Sequence, residues 1–239
     1  MPVRVALRAS GPSALIAVAA LAVVGCGADP REPASGPASP SAPASMSRPL
    51  TVEELVSATL PGKESPDAYA HPVIVREPRA RDRKSEVSDP ACGRLLEAAH
   101  GRRPSRPDPA VVEQMFNWKD DINGAHSTLA SYGNSGAVAA FAQISEGLST
   151  CRYYESPGPT TIYKGTVTAG PAPRLGDEAV RFEITAPSEM GPHVTQYTVV
   201  RTGSVIATFT KQSVGGHDVR AFPPALIAQQ ISLLQRAQS

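Results

Sequence analysis

Residues 179–210 read AVRFEITAPSEMGPHVTQYTVVRTGSVIATFT. Val180, Phe182 and Ile184 alternate with Ala179, Arg181 and Glu183, the period-two pattern of a strand with one face buried. Two further β-rich runs, 194–201 and 205–210, are separated by Thr202-Gly203-Ser204, which predicts an antiparallel hairpin. Upstream, 161–168 is the expected partner of the strand that begins after Gly176-Asp177-Glu178. From Pro224 onward, Leu226, Ile227, Ile231 and Leu234 fall on one side of a helix suited to lying across such a sheet. The C-terminal half therefore reads as a meander of strands closed by a helix.

The N-terminal half supplies more helices. Val138, Phe141, Ile144 and Leu148 recur at three- and four-residue spacing and predict an amphipathic helix ending near Cys151. Before it, 110–118 and 125–132 read as a hairpin around Asp120-Asp121-Ile122-Asn123-Gly124, because Asn-Gly is a strong turn dipeptide. Val111, Val112, Met115 and Phe116 also fit a helical stripe. Asp89 before Pro90 is an N-cap with proline at the first helical position, starting a helix through Cys92, Leu95, Leu96 and Ala99 that Gly101 stops. Thr51-Val52-Glu53-Glu54 is a capping box opening a short helix with Leu55, Val56 and Leu60 on its apolar side, ended by Pro61-Gly62. Residues 68–75 read as one strand. The fold class is α+β, an antiparallel sheet flanked by helices.

The first twenty-six residues carry an address. Arg4 and Arg8 form a basic start, 14–24 an apolar run of about eleven residues, and Val23-Val24-Gly25-Cys26 a bacterial lipoprotein signal. That run is too short to span a bilayer, which takes roughly twenty apolar residues. Cys26 is the expected lipidation site, and two acyl chains suffice for stable anchoring. In 27–46, sixteen of twenty residues are Ala, Gly, Pro or Ser, a composition that favours an extended tether over a core. The expected organisation is a signal peptide at 1–25, a lipidated cysteine and tether at 26–48, and one α+β domain at 49–239.

Without the signal, the chain carries 21 basic against 22 acidic residues, and the charges are mixed. A nucleic-acid binder shows a basic excess or stripe, so nucleic acid is not an expected partner. With Cys26 used by lipid, Cys92 and Cys151 remain in an exported chain, one possible disulfide. Closing a loop of that length stabilises a fold by roughly 4 kcal/mol in the chain-entropy model. Such a bridge would clamp the helix that ends near Cys151 to the helix that starts at Pro90.

These features in this order resemble the PknH-like extracellular sensor domain family among actinobacterial lipoproteins. The resemblance rests on the lipobox and tether, Asp89-Pro90-Ala91-Cys92, and the helix that closes on Cys151. It rests equally on the Leu175-Gly176-Asp177-Glu178 turn, Val199-Val200-Arg201-Thr202-Gly203, and a terminal helix with Gln229-Gln230. It implies an antiparallel sheet with flanking helices around a cleft for an extracellular ligand. The kinase relative is described with two disulfides, whereas this chain has cysteines for one. No binding residue carries over by motif.

His71, His100, His126, His193 and His217 show no metal-ligand spacing, so no metal or cofactor is expected. His126, Asp121 and a serine would make a triad on paper, but there is no Gly-x-Ser-x-Gly elbow, and no catalytic residue is assigned. Arg76, Arg79, Arg81, Arg83 and Lys84, with Arg102, Arg103 and Arg106 further on, form a basic run interleaved with Glu77, Asp82 and Glu86. It reads first as a solvated loop and second as a contact for anionic headgroups. Trp118, Tyr132, Tyr153 and Tyr154 are either core or the wall of an apolar pocket. The expected function is a non-enzymatic, sensor-like binding module on the outer face of the cell membrane. It would take a small molecule, lipid or envelope component and pass any signal to a protein partner. A lipid or glycolipid carrier and a structural protein-interaction module are the alternatives.

Overall fold

The computed structural model describes residues 47–62, 68–76, 86–102, 109–119, 121–158, 161–215 and 221–239. All of them lie in one compact unit, Ala44–Ser239. The signal peptide, Cys26 and the tether up to Met46 fall outside the described residues, as do Arg79, Arg81, Arg83, Lys84, Arg103, Arg106 and His217.

Helix α1 (Val52–Ser57) opens with the expected capping box, Thr51 and Glu54 each bonding the other's backbone N–H. Two short strands, β1 (Ala68–Ala70) and β2 (Ile74–Val75), precede α2 (Pro90–Ala99), which Asp89 caps through the N–H groups of Ala91 and Cys92. Strands β3 (Ala110–Trp118) and β4 (Asp121–Ser131) lead to α3 (Gly136–Thr150). Then follow β5 (Tyr153–Pro157), β6 (Ile162–Gly170), β7 (Glu178–Ala186), β8 (His193–Thr202), β9 (Val205–Val214) and α4 (Pro224–Gln238).

The strands form one sheet in the order β1-β3-β4-β9-β8-β7-β6-β5, with β2 also on β3, and every pair is antiparallel. Because side chains alternate across a strand, neighbouring residues enter different cores. On the first face, Val111, Ala130, Val199 and Ile206 pack under α2 and α3. On the second, Val112, Leu129, Val200 and Ala207 pack under α1 and α4. Phe116, Phe209 and Phe222 meet within the second core, with ring centroids 5.1–5.3 Å apart. The Cys92–Cys151 disulfide joins the start of α2 to the end of α3 across a Cα separation of 4.9 Å, as expected.

The two ends of the domain meet at the β8–β9 turn. Ser204 donates its hydroxyl to Arg48 O (2.8 Å), and its N–H to Gln238 Oε1 (2.9 Å). A chain arriving from the N-terminal side thus enters the domain at this end of the sheet.

Several local expectations change. Asn123-Gly124 lies inside β4 and not at the turn. The register shifts between Phe116↔Ala125 and Trp118↔Asp121, so the dipeptide forms a bulge, with Asn123 N–H bonded to Asp121 Oδ1 (2.8 Å). Residues 111–116 are strand, not a helical stripe, since Val111 and Val112 are buried on opposite faces. The single strand at 68–75 is two short ones separated by His71-Pro72-Val73, where proline has no N–H for a ladder. Val138 points outward, 51 % exposed, and Ala137, Ala140 and Phe141 supply that part of the buried side of α3. Strand β5 was not expected from sequence; it pairs with β6 along Tyr153–Pro157.

Candidate functional site

On the first face, exposure climbs along the strands away from the β8–β9 turn. It rises along β3 from Val111 through half-buried Glu113 to exposed Met115. On β4 it rises from Ala130 through Thr128 to exposed His126, and on β9 from Ile206 and Thr208 through Thr210 to exposed Gln212. The register sets Met115 beside His126 and His126 beside Thr210, so these groups form one continuous open corner. Ile74, opposite Glu113, and Tyr69, opposite Asn117, extend it to the sheet edge.

The end of α2 walls this corner. Thr208 donates its hydroxyl to Ala99 O (2.5 Å), and Arg76 donates to His100 O (2.6 Å) while pairing with Glu113. The helix therefore stops directly over β9. Gly101 has φ 63, and its N–H reaches Ala98 O while Arg102 N–H reaches Glu97 O, a Schellman ending. A Cβ on Gly101 would meet Ala130 Cβ at 2.8 Å, so only glycine lets this turn lie on the sheet.

Beyond His100 the wall is aromatic. Tyr197 stacks on Phe182 with centroids 4.5 Å apart and meets the His100 ring edge-on at 5.8 Å. Tyr154 and Tyr163 follow, with centroids 6.0 Å apart. The Tyr154 ring lies over Gly165, where a Cβ would come within 2.6 Å of it. Burial raises the pKa values of all three phenols, which stay protonated as hydrogen-bond donors at neutral pH.

Burial also pushes His100 down to about 4, aided by the nearby charges of Arg102 and Arg76. Its Nδ1 lies 2.8 Å from Leu96 O, which only accepts, so Nδ1 carries the proton and Nε2 is the acceptor. Desolvation lowers His126 as well. The corner thus offers neutral imidazoles, phenol and threonine hydroxyls, and guanidinium groups.

The aromatic residues singled out from sequence do not converge. Trp118 packs on Phe222 in the second core, while Tyr132 and Tyr154 are buried in the first. Tyr153 lies on the outer edge strand and donates to Glu155 (2.7 Å). His126 and Asp121 are on opposite faces, with the Asp121 carboxylate 2.8 Å from the buried Lys211 ammonium, so they do not form a dyad. His71 bonds Asn117 Oδ1 (2.7 Å) beside Tyr69, and His193 pairs with Val214 on β9. Of the basic run, Arg76 and Arg102 are at the corner. Among the described residues no group of three or more His, Cys, Asp or Glu is placed to hold a metal, and no helix is long and apolar enough to cross a membrane. Sequence reading missed Tyr163, Tyr197 and Met115 as site residues. Their alternation marks strands, but only the position where α2 ends reveals that Met115 is exposed while Tyr197 packs beside His100.

No family model matches the sequence, and no curated protein matches it. Among solved structures, the extracellular domain of PknH from Mycobacterium tuberculosis is similar at 13% identity with a TM-score of 0.57. That alignment covers 79% of this chain and 98% of that one. An uncharacterised protein from Mycobacterium smegmatis aligns at 10% identity with a TM-score of 0.40, over 78% of this chain and 94% of its own. The domain has a PknH-like extracellular-domain fold, an antiparallel sheet flanked by helices and clamped by one disulfide.

Proposed function

We propose that this chain is a membrane-anchored extracytoplasmic lipoprotein whose domain is a non-enzymatic, sensor-like binding module. The observation that carries the binding role is the uneven coverage of one sheet face. On β3, β4 and β9, the first face passes from full burial to an open corner where Met115, His126 and Gln212 are exposed, beside half-buried Thr210 and His100 and buried Tyr197. Exposed apolar surface beside a few polar groups is the usual lining of a small-ligand site. The fold likeness to an extracellular domain supports the location, and the lipobox at Cys26 supports the anchor. A sensor role for this chain rests on that fold-level analogy. The exposed Met115, Ile74 and Tyr69 beside the corner favour a second reading, a lipid or glycolipid carrier.

Native mass spectrometry of the Ala44–Ser239 unit, secreted from an actinobacterial host, tests the binding role. A discrete added mass supports a ligand-binding module and identifies its class. A bare mass from every preparation would turn the reading toward a protein-interaction module. For the anchor, Cys26→Ala should release the chain from membranes, and full retention would contradict a lipoprotein.

A further inference from the structure

The open corner is chemically two-sided. Its outer part is apolar: Met115 is 37 %, Ile74 59 % and Tyr69 62 % exposed, all on the first face of β1 to β3. Such a cluster of exposed large apolar side chains, rimmed by polar groups, marks a surface that a ligand covers. Its inner part holds Arg102, His100 and Tyr197, and the strand register brings His126 and Thr210 alongside Tyr197.

The charges at the corner do not cancel. Arg76 is engaged by Glu113 and by His100 O. Arg102 makes no ion pair among the described residues, although its side chain is exposed and its backbone is pinned at the rim by the Gly101 turn. Arg102 is close enough for its charge to act on the Tyr197 phenol, and a guanidinium and a phenol hydroxyl both donate to a carboxylate or phosphate.

Resting on the binding role proposed above, we propose that the corner takes a small amphiphilic anion. A carboxylate or phosphate head sits at Arg102 and Tyr197, and an apolar body lies over Met115 and Ile74. A neutral polar solute would leave the apolar side wet, and a bare anion would gain nothing from it.

Isothermal titration of the Ala44–Ser239 unit with octanoate, octyl phosphate, octyl glucoside and inorganic phosphate separates these contributions. At least one of the two anionic amphiphiles should bind, and Arg102→Gln should weaken it at least about tenfold, as expected for losing a charge-assisted hydrogen bond. Arg102→Lys should cost no more than a few-fold, and Met115→Ser should weaken the amphiphile while leaving inorganic phosphate unchanged. Octanoate binding without octyl phosphate would point to a carboxylate source, and the reverse to a phosphorylated lipid; either supports the proposal. Octyl glucoside binding as tightly as the anions, or no effect of Arg102→Gln, would overturn the anionic head. Equal binding of inorganic and octyl phosphate would overturn the apolar body. If none of the probes binds while the secreted domain still carries an added mass, the ligand class is wrong and the binding role stands. If the secreted domain is also bare, both fail.

Discussion

Strands β3, β4 and β9 present the same backbone to two different surroundings. On the second face, Val112, Gln114 and Phe116 are all at most 4 % exposed, and so are Ala125, Ser127 and Leu129, and Ala207, Phe209 and Lys211. On the first face, the corresponding run of β3 ends at Met115, 37 % exposed. The difference lies in where the helices end, since α3 on the first face is as long as α4 on the second. Helix α4, fifteen residues and roughly 22 Å long, lies with α1 across one face, whereas ten-residue α2, roughly 15 Å, stops over β9 at Ala99 and His100. Residues on the sealed face are constrained by packing. Met115, His126 and Gln212 at the open corner are exposed and free of that constraint.

Even the charged group on the sealed face is held for structure. Lys211 is 3 % exposed, pairs with Asp121, donates to the carbonyls of Asn123 and Gln212, and lies 5.8 Å from the centroid of Trp118. A buried cation persists only when it is so satisfied. The cations of the open corner, Arg76 and Arg102, instead border solvent at the helix end.

The largest expected effect falls on what holds the first face together. Replacing Cys92 and Cys151 by alanine opens a loop with 59 residues of separation and should destabilise the domain by roughly 4 kcal/mol, measured by urea denaturation. Next comes the contrast between faces: Leu234→Ala should cost about 2–5 kcal/mol, while Met115→Ala should stay within about 0.5 kcal/mol. Equal losses at the two positions would break the comparison.

Acid should act through the wall of the corner. His100 titrates near 4 when folded and near 6.5 when unfolded, so between those values the unfolded chain binds more protons. Stability should therefore fall as pH drops from about 6.5 to 4, by on the order of 2–3 kcal/mol, and His100→Gln should flatten that window. Glu54, drawn down to about 2 by its hydrogen bond with Arg48, adds a loss only at lower pH, between its ordinary range and 2. Gly165→Ala should give a smaller loss, about 1–3 kcal/mol, because its Cβ collides with the Tyr154 ring, visible as a lowered denaturation midpoint.

The strands of the C-terminal half were legible because one residue in two along Val180, Phe182 and Ile184 is apolar, a local signal that needs no tertiary context. Caps were legible for the same reason: Thr51, Glu54, Asp89 and Pro90 act on their own helices. Asn123-Gly124 misled because a bulge and a turn ask for the same residues, and the choice between them depends on pairing with Phe116 and Trp118. The open corner was illegible because it depends on where α2 ends relative to β9, through Thr208, Arg76 and the Gly101 turn, contacts distant in sequence. Cys92 and Cys151 stood out by elimination, and their bridge joins the helices that sequence periodicity had placed.

Methyl NMR of the isoleucine- and methionine-labelled Ala44–Ser239 unit, titrated with an envelope extract of an actinobacterial host, tests the asymmetry of the two faces most directly. Shifts are expected at Met115 and Ile74, with Ile227 and Ile231 unmoved. Shifts confined to Ile227 and Ile231, or no shift at Met115 and Ile74 when the extract adds mass to the protein, would contradict that asymmetry.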